Sequence, residues 1–274
     1  MLTRRQQVRK HLKKVFATFF VRESSPIPCF IFGEMRSGTN MLIGCLDRSF
    51  SVATYNENDV DAFNDFVLKE TRELKQIVNA ASAKIVAFKC IADSQRASEL
   101  LLEFPTSRAI WIYRNYHDVV NSAIRKWTEH NAYLKYIIDE SAAARWRGVN
   151  ISEDTRSLIV EHYSRGISDE SARALIWYFR NRFYYEQALD REERVKLVKY
   201  EDVTRTPDHE IRQLFDFLNL PYKARYVDAI STRSIGKDSV PQIDPAIEEL
   251  CQGLYARLND DASSGRLEKT ARTA

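Results

Sequence analysis

Short apolar runs alternate along the chain with longer stretches in which apolar residues recur every three or four positions. The runs are 28–33, "KIVAFKC" at 84–90, "RAIWIYR" at 108–114 and "VKLVKY" at 195–200. Such runs, bounded by polar residues, read as buried strands. The spacing between them predicts helices over 39–49, 59–80, 94–104, 116–137, 152–165, 168–190 and 207–218. In 59–80, Val60, Phe63, Val67, Leu74, Ile77 and Val78 lie near helical spacing. Asn115 suits the N-cap of the 116–137 helix, with Asp118 in its first turn. Pro207 opens the 207–218 helix at the position where proline is favoured. Strands that alternate with helices imply an α/β fold, a doubly wound and mostly parallel sheet flanked by helices. Ligands of such sheets bind beyond the carboxyl ends of the strands. The loop "GEMRSGT", Arg114 and "KYED" all follow strand ends and should meet in one crevice.

Composition adds bounds. The chain has 274 residues, 44% of them hydrophobic, enough for one sizeable core. A net charge of +3 permits an anionic ligand without demanding nucleic acid. The charge gathers at the front, where "TRRQQVRKHLKK" holds three Arg, three Lys and no acid. Residues 1–27 therefore read as a basic helical arm ending in the linker "ESSPIP". The 1–22 segment suits either an anionic membrane surface or the packing of Phe16, Phe19 and Phe20 onto the domain. The main domain is expected over 28–258, with a helical insertion at about 128–190, and 259–274 as a flexible tail. No apolar stretch reaches the roughly 20 residues of a membrane span. A cytoplasmic protein is expected, with the arm able to lean on the inner membrane face. The four cysteines lack metal spacing and read as reduced, buried thiols; no metal site is expected.

Three segments carry candidate chemistry. "IFGEMRSGTNML", 31–42, nearly matches the phosphate loop G-x-x-x-x-G-K-[ST]. Thr39 stands where the lysine belongs, and Asn40 where the magnesium-binding hydroxyl belongs. The loop still offers backbone N–H groups at a helix N-terminus, hydroxyls from Ser37 and Thr39, a guanidinium from Arg36, and close backbone approach at Gly38. "RAIWIYRNYHDVVNSAIRKW", 108–127, places Arg114 at a strand end and Ser122 eight residues on, beyond Asp118. "VKYEDVTRTPDHEIRQLFDFLNL", 198–220, ends a strand at Tyr200, whose ring could face a flat base. Each segment alone also reads as ordinary structure: a glycine turn, an Arg114–Asp118 pair, a strand-to-helix connection.

Taken together, their order and strand-end placement resemble the sulfotransferase superfamily, which uses 3′-phosphoadenosine 5′-phosphosulfate (PAPS). "FGEMRSGTNML" is similar to its 5′-phosphosulfate loop, "IWIYRNYHDVVNSAI" to its 3′-phosphate segment, and "KYEDVTRTPDHEIRQLFDFLNL" to its Y-E-D segment and following helix. The resemblance spans about 28–258 and is nearest the branch acting on glycans and tyrosyl proteins. It implies a P-loop NTPase-like sulfotransferase fold. It also implies PAPS as co-substrate, with Arg36, Ser37, Gly38, Thr39 and Asn40 around the phosphosulfate. Arg114 and Ser122 would hold the 3′-phosphate, with Tyr200 near adenine. The loop "STRSIGKDS", 231–239, offers Ser234 and Lys237 either to the nucleotide or to solvent.

The sequence also departs from the family. Asn40 replaces a second threonine, and Asn115-Tyr116-His117-Asp118 replaces Asn-Pro-x-Asp. The histidine base of cytosolic small-molecule enzymes has no counterpart in "FKCIADS", which has Lys89 and Cys90. Glycan- and tyrosine-directed relatives use a glutamate after the first helix, which implies Glu57 as base; a helix-terminal acid is the plainer alternative. The resemblance thus implies Arg36 and Glu57 as the catalytic pair, and the expected reaction moves a sulfuryl group to an acceptor hydroxyl, expected on a carbohydrate or another small molecule. Trp146, Arg147, His162 and Tyr163 are acceptor candidates within the insertion. Two other readings remain: a P-loop kinase or nucleotide-binding protein, and a PAPS-binding module without transfer activity. No nucleic-acid partner is expected, and oligomeric state is not legible.

Overall fold

The structure, a computed structural model, describes residues 25–128, 130–163, 166–231, 235–236 and 238–271. The basic arm at 1–22 and both Ser234 and Lys237 lie outside the described residues.

Five parallel strands form the central sheet: β1 (Ile27–Gly33), β2 (Val52–Tyr55), β5 (Ile85–Lys89), β6 (Arg108–Tyr113) and β7 (Val195–Lys199). Their order is β2-β5-β1-β6-β7. Phe30 of β1 pairs with Phe88 of β5 on one side and Ala109 of β6 on the other. Because β1 is central and the chain leaves it in both directions, the carboxyl end of β1 is the crossover point where such sheets bind ligands. The sheet is α/β, mostly buried, and covered on both faces. One core holds Phe30, Phe32, Phe88, Trp111 and Trp177. The other holds Ile31, Leu42, Ile110, Ile112 and Phe215. The two sets follow the period of two, since alternate β1 residues face opposite layers.

Helices connect the strands. They are α1 (Thr39–Asp47), α2 (Thr71–Ala80), α3 (Ala97–Glu103), α4 (Tyr116–Ile124), α5 (His130–Ile138), α6 (Glu153–Tyr163), α7 (Asp169–Glu186), α8 (Tyr200–Arg205), α9 (Pro207–Phe217) and α10 (Pro245–Ala271).

Several elements differ from expectation. The helix expected over 59–80 begins only at Thr71. Before it lies a short hairpin, β3 (Phe63–Asn64) and β4 (Val67–Leu68), turned by Asp65 and Phe66 at φ 49° and 71°. The buried Asp93 carboxylate accepts the Leu68 N–H at 3.0 Å and holds the hairpin down. A tertiary acceptor 25 positions away overrides the local helical spacing. The helix expected over 116–137 is two helices, α4 and α5. Between them Trp127 turns toward the site, and its carbonyl meets the His130 ring at 3.1 Å. The edge strand β2 is too short to stand out by pattern. Residues 259–271, expected as a flexible tail, continue α10. Leu258 and Ala262 are buried on that helix, so the apolar positions among its polar residues serve a packed face.

Candidate active site

The carboxyl ends of β1, β6 and β7 deliver the three singled-out segments to one place. After β1 the chain makes a tight loop, with Arg36 at φ 74° and Gly38 at φ 99°, and enters α1. A Cβ on Gly38 would lie 2.3 Å from Tyr200 Cδ2, so glycine is required by both backbone angle and space. The first N–H groups of α1 have no partners within the helix and face the loop. The Ser37 hydroxyl there is buried without a hydrogen-bond partner. An anion cradled by the loop would supply the acceptor such a group needs.

Arg36 Nε donates to Ser122 Oγ at 2.9 Å, tying the first motif to the second. Arg114, nearly buried, donates through Nη1 to the Arg36 carbonyl at 3.3 Å and pairs through Nη2 with Asp118 Oδ2 at 3.2 Å. Its guanidinium lies 4.5 Å from the Tyr200 ring centroid. Burial, then the nearby Arg114, Arg173 and Arg125 charges, pull the Arg36 pKa below its ordinary value. Arg36, Arg114, Ser122 and Tyr200 thus form one contact network with Gly38. The plain reading of Arg114 holds, since it pairs with Asp118, and the same side chain buttresses the loop through the Arg36 carbonyl.

The loop after 230 docks on α4. Asp118 accepts the Gly236 N–H at 3.1 Å, Asn121 donates to the Ser239 carbonyl at 2.9 Å, and Arg125 pairs with Asp238 at 2.6 Å. The neighbours of Ser234 and Lys237 therefore lie over the helix that carries Ser122.

On the other side of the loop is a cavity of about 850 Å³. Arg36, Thr39, Asn40 and Glu57 line it. So does Lys89, which the charge pattern alone did not assign. Lys89 is 8% exposed and sits between Glu57 Oε2 at 2.6 Å and Asn40 Oδ1 at 2.8 Å. The signal for it was local: a wholly apolar strand ending on a lysine at the ligand-binding edge. Trp146 and Arg147 also line the cavity, joined by Trp127 and Tyr133. His162 and Tyr163 do not; His162 is buried in α6 and Tyr163 packs on the core.

The back wall is a buried ionic cluster. Glu34, 1% exposed, meets Arg173 Nη2 at 2.5 Å through Oε1 and Arg180 Nε at 3.1 Å through Oε2. Arg180 donates further to Gln95 Oε1 at 2.8 Å and the Ile91 carbonyl at 2.5 Å. The two arginines are seven residues apart and share a face of α7. Among the described residues, no group of His, Cys, Asp and Glu is arranged to hold a metal ion. All four cysteines are free and buried, and burial pushes the Cys29 thiol up to about 12. No helix among the described residues is long and apolar enough to cross a membrane.

This arrangement of loop and sheet is shared with known proteins. A sulfotransferase from Alicyclobacillus acidocaldarius superposes with a TM-score of 0.50 at 14% identity, over 88% of this chain and 96% of that one. The sulfotransferase domain from the curacin biosynthetic pathway superposes with a TM-score of 0.50 at 14% identity, over 86% and 99%. At such identity the likeness speaks for the fold. Comparison with curated proteins finds no match. The family pattern described as "Sulfotransferase domain" matches residues 26–238, from the first core strand through the loop docked on α4. The chain belongs to the sulfotransferase domain family.

Proposed function

We propose that the protein transfers a sulfuryl group from PAPS to a hydroxyl of an acceptor held in the 850 Å³ cavity, a carbohydrate being the first class to test. The observation that carries this reading is the network in which Arg36 joins Ser122 and Arg114 bridges the Arg36 carbonyl and the Tyr200 ring. It puts a helix N-terminus beside two guanidiniums, one of them bonded to Ser122. PAPS, when bound, supplies the sulfuryl group and leaves as 3′-phosphoadenosine 5′-phosphate (PAP).

Each residue then has a physical task. The α1 N-terminus and Arg36 stabilise the negative charge that grows on the bridging oxygen as its bond to sulfur breaks. Removing one such preorganised donor typically costs ~10²–10³ in rate. Arg114 and Ser122 receive the 3′-phosphate. Tyr200 presents its ring toward the base. Glu57 takes the proton from the acceptor hydroxyl as its oxygen bonds to sulfur. Lys89, bonded to both Glu57 and Asn40, fixes the carboxylate against the loop. Alignment and charge stabilisation carry most of the catalysis in transfers of this kind.

Calorimetric titration tests the donor site. PAP should bind without magnesium and more tightly than ADP, and Arg114→Ala or the milder Ser122→Ala should weaken it by roughly tenfold or more, the loss expected for a charge-assisted contact. A preference for ADP with magnesium, or no nucleotide binding by the wild type, would sink the reading. Glu57→Gln should keep PAP affinity and lower the transfer rate by about 10²–10⁴.

A further inference from the structure

One cavity wall, bonded to the loop through Glu34 and Met35, carries arginines in excess of the carboxylate that pairs with them. Arg147, Arg173 and Arg180 line it, and Glu34 is the carboxylate that meets Arg173 and Arg180. That cluster alone keeps one excess positive charge. Arg173 Nε is buried there with no hydrogen-bond partner. Arg147 adds a second cation. It makes no hydrogen bond or ion pair among the described residues. Its guanidinium lies 4.2 Å from the Tyr133 ring centroid and 4.3 Å from that of Trp146. Burial pulls its pKa below the ordinary value, which marks a charge held partly out of water.

Aromatic faces position a guanidinium but leave its five in-plane donors unused. A half-buried Arg packed on two rings and in no ion pair among the described residues offers its edge to an anion. The rings of Trp127, Tyr133 and Trp146 line the same cavity, so an apolar or sugar ring has flat surface to lie on. The volume suits one drug-sized molecule or a disaccharide. Glu57 and Lys89 lie on the same cavity and form an ion pair; with Asp47, Asp59 and Lys126 also counted, the lining arginines and lysines still outnumber the lining carboxylates.

We propose that the acceptor is an acid: a ring-bearing hydroxyl compound whose carboxylate, or an equivalent anionic group, seats on Arg147. This rests on the reading of the cavity as the acceptor pocket. The acceptor hydroxyl then points toward Glu57 while the anion anchors the far end. Neutral analogues keep the ring contact and lose the anchor.

The test uses matched pairs titrated into the PAP-saturated protein: 4-hydroxyphenylacetate against 4-hydroxyphenylacetamide, and glucuronate against glucose. The ratio of acid to neutral affinity is the readout. It should be roughly tenfold or more in at least one pair, as one charge-assisted contact gives. Arg147→Gln should bring that ratio to about one, and Arg147→Lys, which keeps charge but not the planar fork, should restore part of it. Equal binding of acid and neutral partner in both pairs, no acid binding in either pair, or a ratio unchanged in Arg147→Gln would overturn the proposal. The PAP isotherm recorded first separates the two claims. Acid preference without PAP binding would refute the sulfotransferase reading and leave the acid pocket standing. PAP binding without acid preference would refute the pocket alone.

Discussion

Gly38 has φ 99°, and a Cβ there would lie 2.3 Å from Tyr200 Cδ2. Gly38→Ala must therefore strain its backbone and displace the ring that stacks on Arg114. Strain of this kind costs about 1–3 kcal/mol, and overpacking a similar amount. We expect the variant to lose stability in urea denaturation and most of its PAP affinity; retention of both would show that the loop tolerates a side chain. Glu34 makes a different prediction. Removing one partner of a buried ionic cluster typically costs about 3–5 kcal/mol. Glu34→Gln leaves Arg173 and Arg180 without their carboxylate, so a loss of unfolding free energy of that size is expected in urea denaturation, and a change under about 1 kcal/mol would mean that water screens the wall. The two positions also differ in legibility. Gly38 could be read because its loop is contiguous: strand, glycine, helix. Arg114 and Ser122 could be read because they are eight residues apart on one strand-to-helix turn. Glu34 meets partners 139 and 146 residues away, and no local pattern reports such a meeting. Lys89 lies between these cases, visible as a strand-end charge but silent about Glu57 until the fold brings them together.

At the scale of elements, four of the five sheet strands announced themselves as apolar runs, since a strand buried on both faces needs no alternation. The β3–β4 hairpin did not. Its residues Phe63, Val67 and Leu68 fit a helical face as well as two strand ends, and the deciding contact is Asp93 to the Leu68 N–H. That contact has a pH signature. Burial pushes the Asp93 carboxyl up to about 6 from an ordinary 3.8, against the lowering effect of the Leu68 N–H and Arg96. Between those values the folded protein holds a proton that the unfolded chain has released. The contribution of Asp93 to stability is therefore full below pH 3.8 and lost as pH rises through about 6. At ~1.4 kcal/mol per pKa unit the loss is about 3 kcal/mol. Asp93→Asn keeps an acceptor for Leu68 and removes the titration. Its stability relative to wild type should rise across that window in denaturation curves taken at intervals of pH. Parallel curves would assign the titration elsewhere. The α4–α5 break follows the same logic: helical spacing continued through Trp127, but the cavity claimed that ring.

Across the whole molecule, the family match and the folding unit do not end together. The match stops at 238, whereas α10 runs from Pro245 to Ala271. Ile247, Cys251, Leu254 and Leu258 of that helix are buried in the same core as Trp111 and Trp177. Tyr113 of β6 donates to the Leu258 carbonyl at 3.2 Å, and Tyr116 of α4 donates to Glu248 at 2.6 Å. Tyr255 meets the rings of Tyr113, Tyr116 and Trp177. The helix thus braces both the end of β6, where Arg114 begins, and the helix that carries Ser122. Its polar sequence hid this, because one narrow apolar face among charged residues resembles a solvated tail when the sheet beneath is unknown. Full burial of a large apolar side chain contributes about 1.5–3 kcal/mol, so Ile247, Leu254 and Leu258 together contribute roughly 5–9 kcal/mol, comparable with the 5–15 kcal/mol net stability of a typical domain. A chain ended after Asp244 should therefore lose its cooperative thermal transition, although it keeps every residue of the family match. Leu258→Ala gives the graded version: a loss of about 2–5 kcal/mol, with weaker PAP binding as β6 and α4 loosen. If the shortened chain melts cooperatively and binds PAP like the full one, α10 covers the sheet without supporting the site, and the bracing of Arg114 and Ser122 must come from α7 through the bond of Trp177 to the Arg114 carbonyl.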